Sequence, residues 1–192
     1  MNARYALLII TGCLIGILSC KKWQDKPGIP DPRINERKYC NDPRAINYNW
    51  GFPGVSDSTV CMYPAQVFKG KYIYIDSIYF PDFTQDTLHP EKTYTLLINE
   101  ISYNKLSLEG FCEGNQAIFL TASRYNYRAT IDTTIHSSDT TVDYGQFFCR
   151  QLDTLTGYLS KSQGDSTHLL IEFTVVSDTG IRIHKGTALR IE

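Results

Sequence analysis

Residues 71–80 read KYIYIDSIYF, with Tyr72, Tyr74 and Asp76 alternating with Ile73, Ile75 and Ser77. A period of two across β-branched and aromatic residues marks a strand that buries one face. Similar runs follow down the chain: TYTLLINEIS (93–102), KLSLEGF (105–111), AIFLTASRYNYRATIDTTI (117–135), TTVDYGQFF (140–148), DTLTGYLSK (153–161), THLLIEFTVV (167–176) and IRIHKGTALRIE (181–192). Tyr103-Asn104 is a candidate for a tight hairpin turn, and the run 117–135 is expected to bend or split near Asn126. About eight or nine strands with connections this short predict an all-β fold, an antiparallel meander closing into a β-barrel, with a β-sandwich as the alternative. The stretch TIDTTIHSSDTTVD (130–143) is polar on both faces, so it is expected to leave the sheet as a solvated loop.

Upstream of the strands the pattern is different. Residues 1–19, MNARYALLIITGCLIGILS, place one positive charge at Arg4 before an apolar run, the layout of a secretion signal. The run is shorter than the roughly 20 residues a membrane-spanning helix needs. Its end, Ile17-Leu18-Ser19-Cys20, resembles the lipobox of bacterial lipoproteins. That resemblance implies cleavage before Cys20, acylation of its thiol and anchoring in the outer membrane of a bacterial cell envelope. Several acyl chains hold a protein stably where one is marginal, since each buried methylene contributes about 0.8 kcal/mol. Residues 20–38 then carry three prolines and many charges without an apolar face, and read as a tether. The membrane is thus the first expected partner.

Removing residues 1–19 from 192 leaves 173, enough for one ordinary domain and a small appendage. The formal net charge of −1 gives no basic surface for nucleic acid. Of the six cysteines, Cys13 leaves with the signal and Cys20 takes lipid. Cys40, Cys61, Cys112 and Cys149 remain in an oxidising setting and read as two disulfides. Three pairings exist on paper; Cys40 with Cys61 and Cys112 with Cys149 is favoured, because the first encloses a Pro/Gly-rich loop and the second lies within the strands. The mature chain therefore divides into a cysteine module at 39–65 and a β domain at 66–192.

Two further resemblances bear on these parts. The closing pieces Gly157-Tyr158-Leu159, Gly164-Asp165, HLLIEFTVV and HKGTALR resemble the small lipocalin-like β-barrel lipoproteins of Bacteroidota, which implies a fold more than a function. Cys40-Asn41-Asp42-Pro43-Arg44-Ala45-Ile46-Asn47-Tyr48 resembles a C-x-D-P-x-A-x-N-Y cysteine module of secreted proteins from the same bacteria. Its second half, Asp57-Ser58-Thr59-Val60-Cys61-Met62-Tyr63, lacks one acid and the glycine of that pattern.

No G-x-S-x-G or H-E-x-x-H motif occurs, and His89, His136, His168 and His184 have no second histidine or cysteine at ligand spacing, so an enzyme is not expected. Asp76, Glu100, Glu109 and Glu172 are acids that the fold is able to bring together. Binding is the expected role, of a small apolar ligand, a glycan or another envelope protein. A barrel cavity would be lined by Ile73, Ile75, Leu97, Leu106, Leu108, Phe119, Leu170, Ile171 and Phe173. Tyr48, Trp50 and Phe52 form a candidate binding surface. Asp42, Asn47, Asn49 and Asp57 supply too few oxygens for a dedicated calcium loop, which takes about six or more. The module is read chiefly as a staple, with its Asp42-Pro43 and Pro53-Gly54 turns closed by the disulfide.

Overall fold

The computed structural model describes residues 31–112, 116–132 and 145–192. The signal, Cys20 and most of the polar stretch 130–143 lie outside them. Two short strands, β1 (Lys38–Tyr39) and β2 (Val55–Ser56), pair in parallel ahead of the β domain. The β domain consists of β3 (Gly70–Tyr79), β4 (Lys92–Glu100), β5 (Lys105–Glu109), β6 (Ile118–Ala122), β7 (Arg128–Ile131), β8 (Gln146–Phe148), β9 (Arg150–Ser160), β10 (His168–Ser177) and β11 (Gly180–Arg190). Each long strand pairs antiparallel with its neighbour in sequence. The last, β11, pairs with β3 from Ile183↔Tyr79 to Arg190↔Tyr72, closing an eight-strand barrel. Closure pairs β3 with β11, so neither of these two long strands is left as an edge of the sheet.

The run 117–135 splits into β6 and β7 at a turn over 123–127. Strands β7 and β8 share one place in the wall, β7 pairing with the last part of β9 and β8 with its first part. Between them the Gln146 side chain stands in for backbone. Its Oε1 accepts from the Phe119 amide at 2.9 Å, and its Nε2 donates to the Asp132 carbonyl at 2.9 Å and to the Phe119 carbonyl. The polar groups of a wall interrupted at this point are thereby satisfied.

One end of the barrel is stoppered. Pro64 starts a short helix, Pro64–Phe68, whose Ala65 and Phe68 are fully buried. Proline suits a first helical position because its missing N–H has no partner there anyway. The Tyr72 hydroxyl donates to the Phe68 carbonyl at 2.9 Å, tying the stopper to β3. The opposite end, the mouth, carries the β3–β4 loop, the β5–β6 connection and the turn between β8 and β9. There Cys112–Cys149 joins the last two, its ends 37 positions apart in the chain. A link across that span contributes roughly 4 kcal/mol by removing freedom from the unfolded chain.

The interior is packed with side chains, and for several strands it is not the face that hydrophobicity suggests. Leu106, Leu108, Ile171 and Phe173 point inward and are buried. Ile73, Ile75, Leu97, Phe119 and Leu170 point outward, which corrects their expected place in a cavity lining. Their sequence neighbours Tyr72, Tyr74, Leu96, Ile98, Ile118, Leu120, Leu169 and Ile171 fill the barrel instead. In β3 the two tyrosines and Asp76 are able to be inside because their polar atoms are paired there. In the other strands apolar residues stand on both faces, and the register with adjacent strands selects the inward set. Phe111 is a hub of this core, 5.6 Å from Tyr74, 5.1 Å from Tyr94, 6.0 Å from Phe148 and 5.5 Å from Phe173 between ring centres.

Candidate functional site

Three places gather chemistry. At the mouth, the Tyr74 hydroxyl donates to Asp76 Oδ1 at 2.8 Å and His184 Nδ1 lies 2.7 Å from Asp76 Oδ2. Asp76 is only 1% exposed. Burial, followed by the Asp76 carboxylate, pushes the Tyr74 phenol far above its ordinary range, so it stays a donor at any physiological pH. The arrangement fixes His184 beside Phe148, 6.2 Å away between rings. No hydroxyl or thiol nucleophile accompanies the imidazole in its hydrogen bonds among the described residues. The β3–β4 loop next to it is anchored by Asp86, which binds His89 Nδ1 at 2.9 Å and Arg182 Nε at 3.2 Å. A cleft of about 370 Å³ lies between this loop and the mouth, against Ile78, His89, Lys92 and Tyr94.

The second place is on the outer wall. Outward residues of β3, β9, β10 and β11 border a groove of about 600 Å³. In register across the wall, Ile75 stands opposite Thr187 and Thr187 opposite Leu170. Next along, Tyr158 stands opposite Glu172 and Glu172 opposite Lys185. Lys185 Nζ and Glu172 form an ion pair at 3.2 Å, and Ser77 Oγ donates to Glu91 at 2.9 Å. The Arg128 guanidinium rests 3.6 Å from the centre of the Tyr158 ring, a cation–π contact. Beneath the groove lies Gly186, which points inward, where a β-carbon would meet the Ile75 carbonyl at 1.8 Å and the Tyr74 ring at 2.9 Å. Only glycine lets β11 lie this close to β3.

The third place is the cysteine module, closed by Cys40–Cys61. The side chains of the candidate calcium ligands Asp42, Asn47 and Asp57 are engaged within it. Asp42 receives both Arg44 nitrogens, at 3.0 and 2.8 Å, and the Tyr63 hydroxyl at 2.9 Å. Asn47 donates to the Val60 carbonyl at 2.7 Å and accepts from the Met62 amide at 2.8 Å, pinning the two halves together. Asp57 caps a single 3-10 turn through Thr59 and pairs with Lys38 at 2.8 Å. Among the described residues no three His, Cys, Asp or Glu side chains gather as metal ligands do. The module rests on the stoppered end of the barrel, where the Ala65 amide donates to the Tyr103 carbonyl and the Arg44 guanidinium lies 5.2 Å from the Tyr103 ring centre. Tyr48, Trp50 and Phe52 face outward, Trp50 at 65% and Phe52 at 67% exposure.

These bonds make the module acid-sensitive. The Arg44 guanidinium and amide hold the Asp42 carboxyl far below its ordinary range, and Lys38 followed by Thr59 does the same for Asp57. A carboxyl whose pKa is depressed by folding adds stability above its unfolded value of about 3.9 and loses it as pH falls towards the folded value. Below about pH 4 the module is therefore expected to loosen while its disulfide stays closed. An acid titration of its amide resonances between neutral pH and strong acid checks this; resonances unchanged throughout contradict it.

No protein-family model and no curated protein sequence matches the chain. The chain is similar to a redesigned β-barrel. That structure, b11L5F_LGL, is 14% identical, covers 68% of this chain and 96% of its own, and superposes with a TM-score of 0.38. A second solved structure, EF1p2_mFAP2b bound to DFHBI, is 12% identical over 67% of this chain and 98% of its own, with a TM-score of 0.39.

The outer groove was not foreseen from the sequence. Its signal lay in the polar residues interleaved with exposed aliphatics on the wall, Glu172, Lys185 and Tyr158 beside Ile75 and Leu170, which are legible only once the inward face is known.

Proposed function

We propose that this chain is a lipid-anchored envelope protein that binds a short glycan, without catalysis, in the groove on its outer wall. The observation that carries the reading is the groove itself, about 600 Å³ in volume and within the range of small-molecule sites. Its composition suits sugar better than a wholly apolar ligand. Ile75 and Leu170 offer apolar contact to the C–H face of a ring, while Glu91, Glu172 and Lys185 offer hydrogen bonds to hydroxyls. The apolar alternative fits less well, because Tyr72, Tyr74, Leu96, Leu106, Leu108 and Phe173 occupy the barrel interior. The Asp76–His184 pair serves in this reading to order the mouth. The anchor at Cys20 leads into the module on the stoppered end, so the mouth is directed away from the membrane and the groove flanks the barrel between the two.

Titration calorimetry against cellotetraose, xylotetraose, mannotetraose and chitotetraose tests this. At least one is expected to bind, and Glu172→Ala with Lys185→Ala is expected to weaken it about ten-fold, roughly 1.4 kcal/mol. The same pair of changes should shift stability by less than about 1 kcal/mol, as exposed ion pairs contribute little. Heat-silent titrations with all four sugars, or affinity unaffected by the double variant, overturn the glycan reading.

A further inference from the structure

We propose that the turn carrying Trp50 and Phe52 is a membrane-docking surface, seated in the interfacial layer of the leaflet that holds the lipid anchor. The inference rests on the anchoring at Cys20 proposed above. Ala45 to Ser56 is twelve residues without a charge; of the charges around it Asp42 pairs with Arg44 and Lys38 with Asp57, while the Arg37 side chain lies against Gly51 and the Arg124 guanidinium 6.0 Å from the Tyr48 ring centre. From this turn Trp50, Phe52 and Val55 stand out into solvent, with Tyr48 partly exposed beside them. Aromatic rings with one polar edge favour the headgroup level of a bilayer, and an apolar cluster held out by a rigid loop is costly to leave in water.

Chain connection says what covers the cluster. The Val55 amide donates to the Arg37 carbonyl at 2.8 Å, and Gly54 lies so close to Arg37 that a β-carbon would sit 2.1 Å from the same oxygen. Phe52 packs edge-on against Tyr39, 5.6 Å between ring centres. The aromatic turn therefore lies on the stretch by which the chain arrives from the anchor. Ten residues separate Cys20 from Asp31, a span of at most about 40 Å when fully extended. The disulfide and the two-way bond of Asn47 keep the tip rigid, so little ordering entropy opposes docking.

The test uses the full chain, processed to its membrane form, with Trp23→Phe so that Trp50 is the remaining tryptophan. The protein is reconstituted into phosphatidylcholine vesicles with and without lipids brominated near the glycerol end of the acyl chain. Intact mass reports acylation of Cys20 separately. Trp50 emission is expected to shift to the blue and to fall roughly two-fold with brominated lipid, as for rings at headgroup depth. Acylated protein whose Trp50 is unquenched by bromine and open to acrylamide overturns the docking surface and leaves the anchor standing. Trp50 shielded from acrylamide yet unquenched by bromine also overturns it, and points to a protein or a second copy as the cover. Unacylated protein that is nevertheless quenched removes the anchor reading and upholds the surface. Unacylated and unquenched protein removes both.

Discussion

Replacing Gly157 by valine is expected to prevent the barrel from closing. Gly157 sits inward on β9 opposite Phe173, with φ at +135°, a conformation that L side chains rarely adopt. A β-carbon there would lie 2.2 Å from the Glu172 carbonyl and 2.8 Å from the Phe173 α-carbon. Neither neighbour is the loose end of a side chain, so the ladder between β9 and β10 must part. Strain and lost pairing together should remove roughly 4 kcal/mol or more, a large share of the 5–15 kcal/mol that holds an ordinary domain. Urea unfolding of Gly157→Val followed by circular dichroism checks it, and a midpoint close to the parent's would show that Gly157 does not lie against β10 as described.

The second large effect separates two phenylalanines. Phe173 is 1% exposed inside the barrel, and Phe119 is 47% exposed outside it. Phe173→Ala empties space against Phe111 and is expected to cost about 3–5 kcal/mol, the usual loss for a buried ring. Phe119→Ala is expected to cost less than about 1 kcal/mol, since its backbone is held by Gln146 whatever its side chain. Equal losses in denaturant would place both rings in the core and refute the assigned register.

Those two residues also show how far the sequence could be read. Alternation in 71–80 and the turns between later runs were enough for an antiparallel barrel, and the strand boundaries near 93–102, 153–161 and 167–176 lie close to β4, β9 and β10. The cysteine pairs followed from their positions relative to a loop and to the strands. Which face is inside did not follow. Leu96-Leu97-Ile98, Ile118-Phe119-Leu120 and Leu169-Leu170-Ile171 are apolar at three consecutive positions, so hydrophobicity leaves a one-residue choice that pairing with neighbours resolves. In β3 the cue was misleading, because Ile73 and Ile75 are outside while Asp76 is buried with His184, a residue 108 positions away. The helix that stoppers the barrel was missed because five residues, PAQVF, are too few to show a helical period. The groove was invisible for the same reason as the inward face, since it is made of what remains outside.

The most direct test of a filled barrel with its ligand on the outer wall is backbone amide NMR, recorded while each of the four tetrasaccharides is added. Shifts confined to Ile75, Tyr158, Leu170, Glu172, Lys185 and their neighbours, with Leu106 and Leu108 unmoved, are the predicted result. Shifts centred on the inward residues of β5 and β10, or no shift with any of the four sugars, would contradict it.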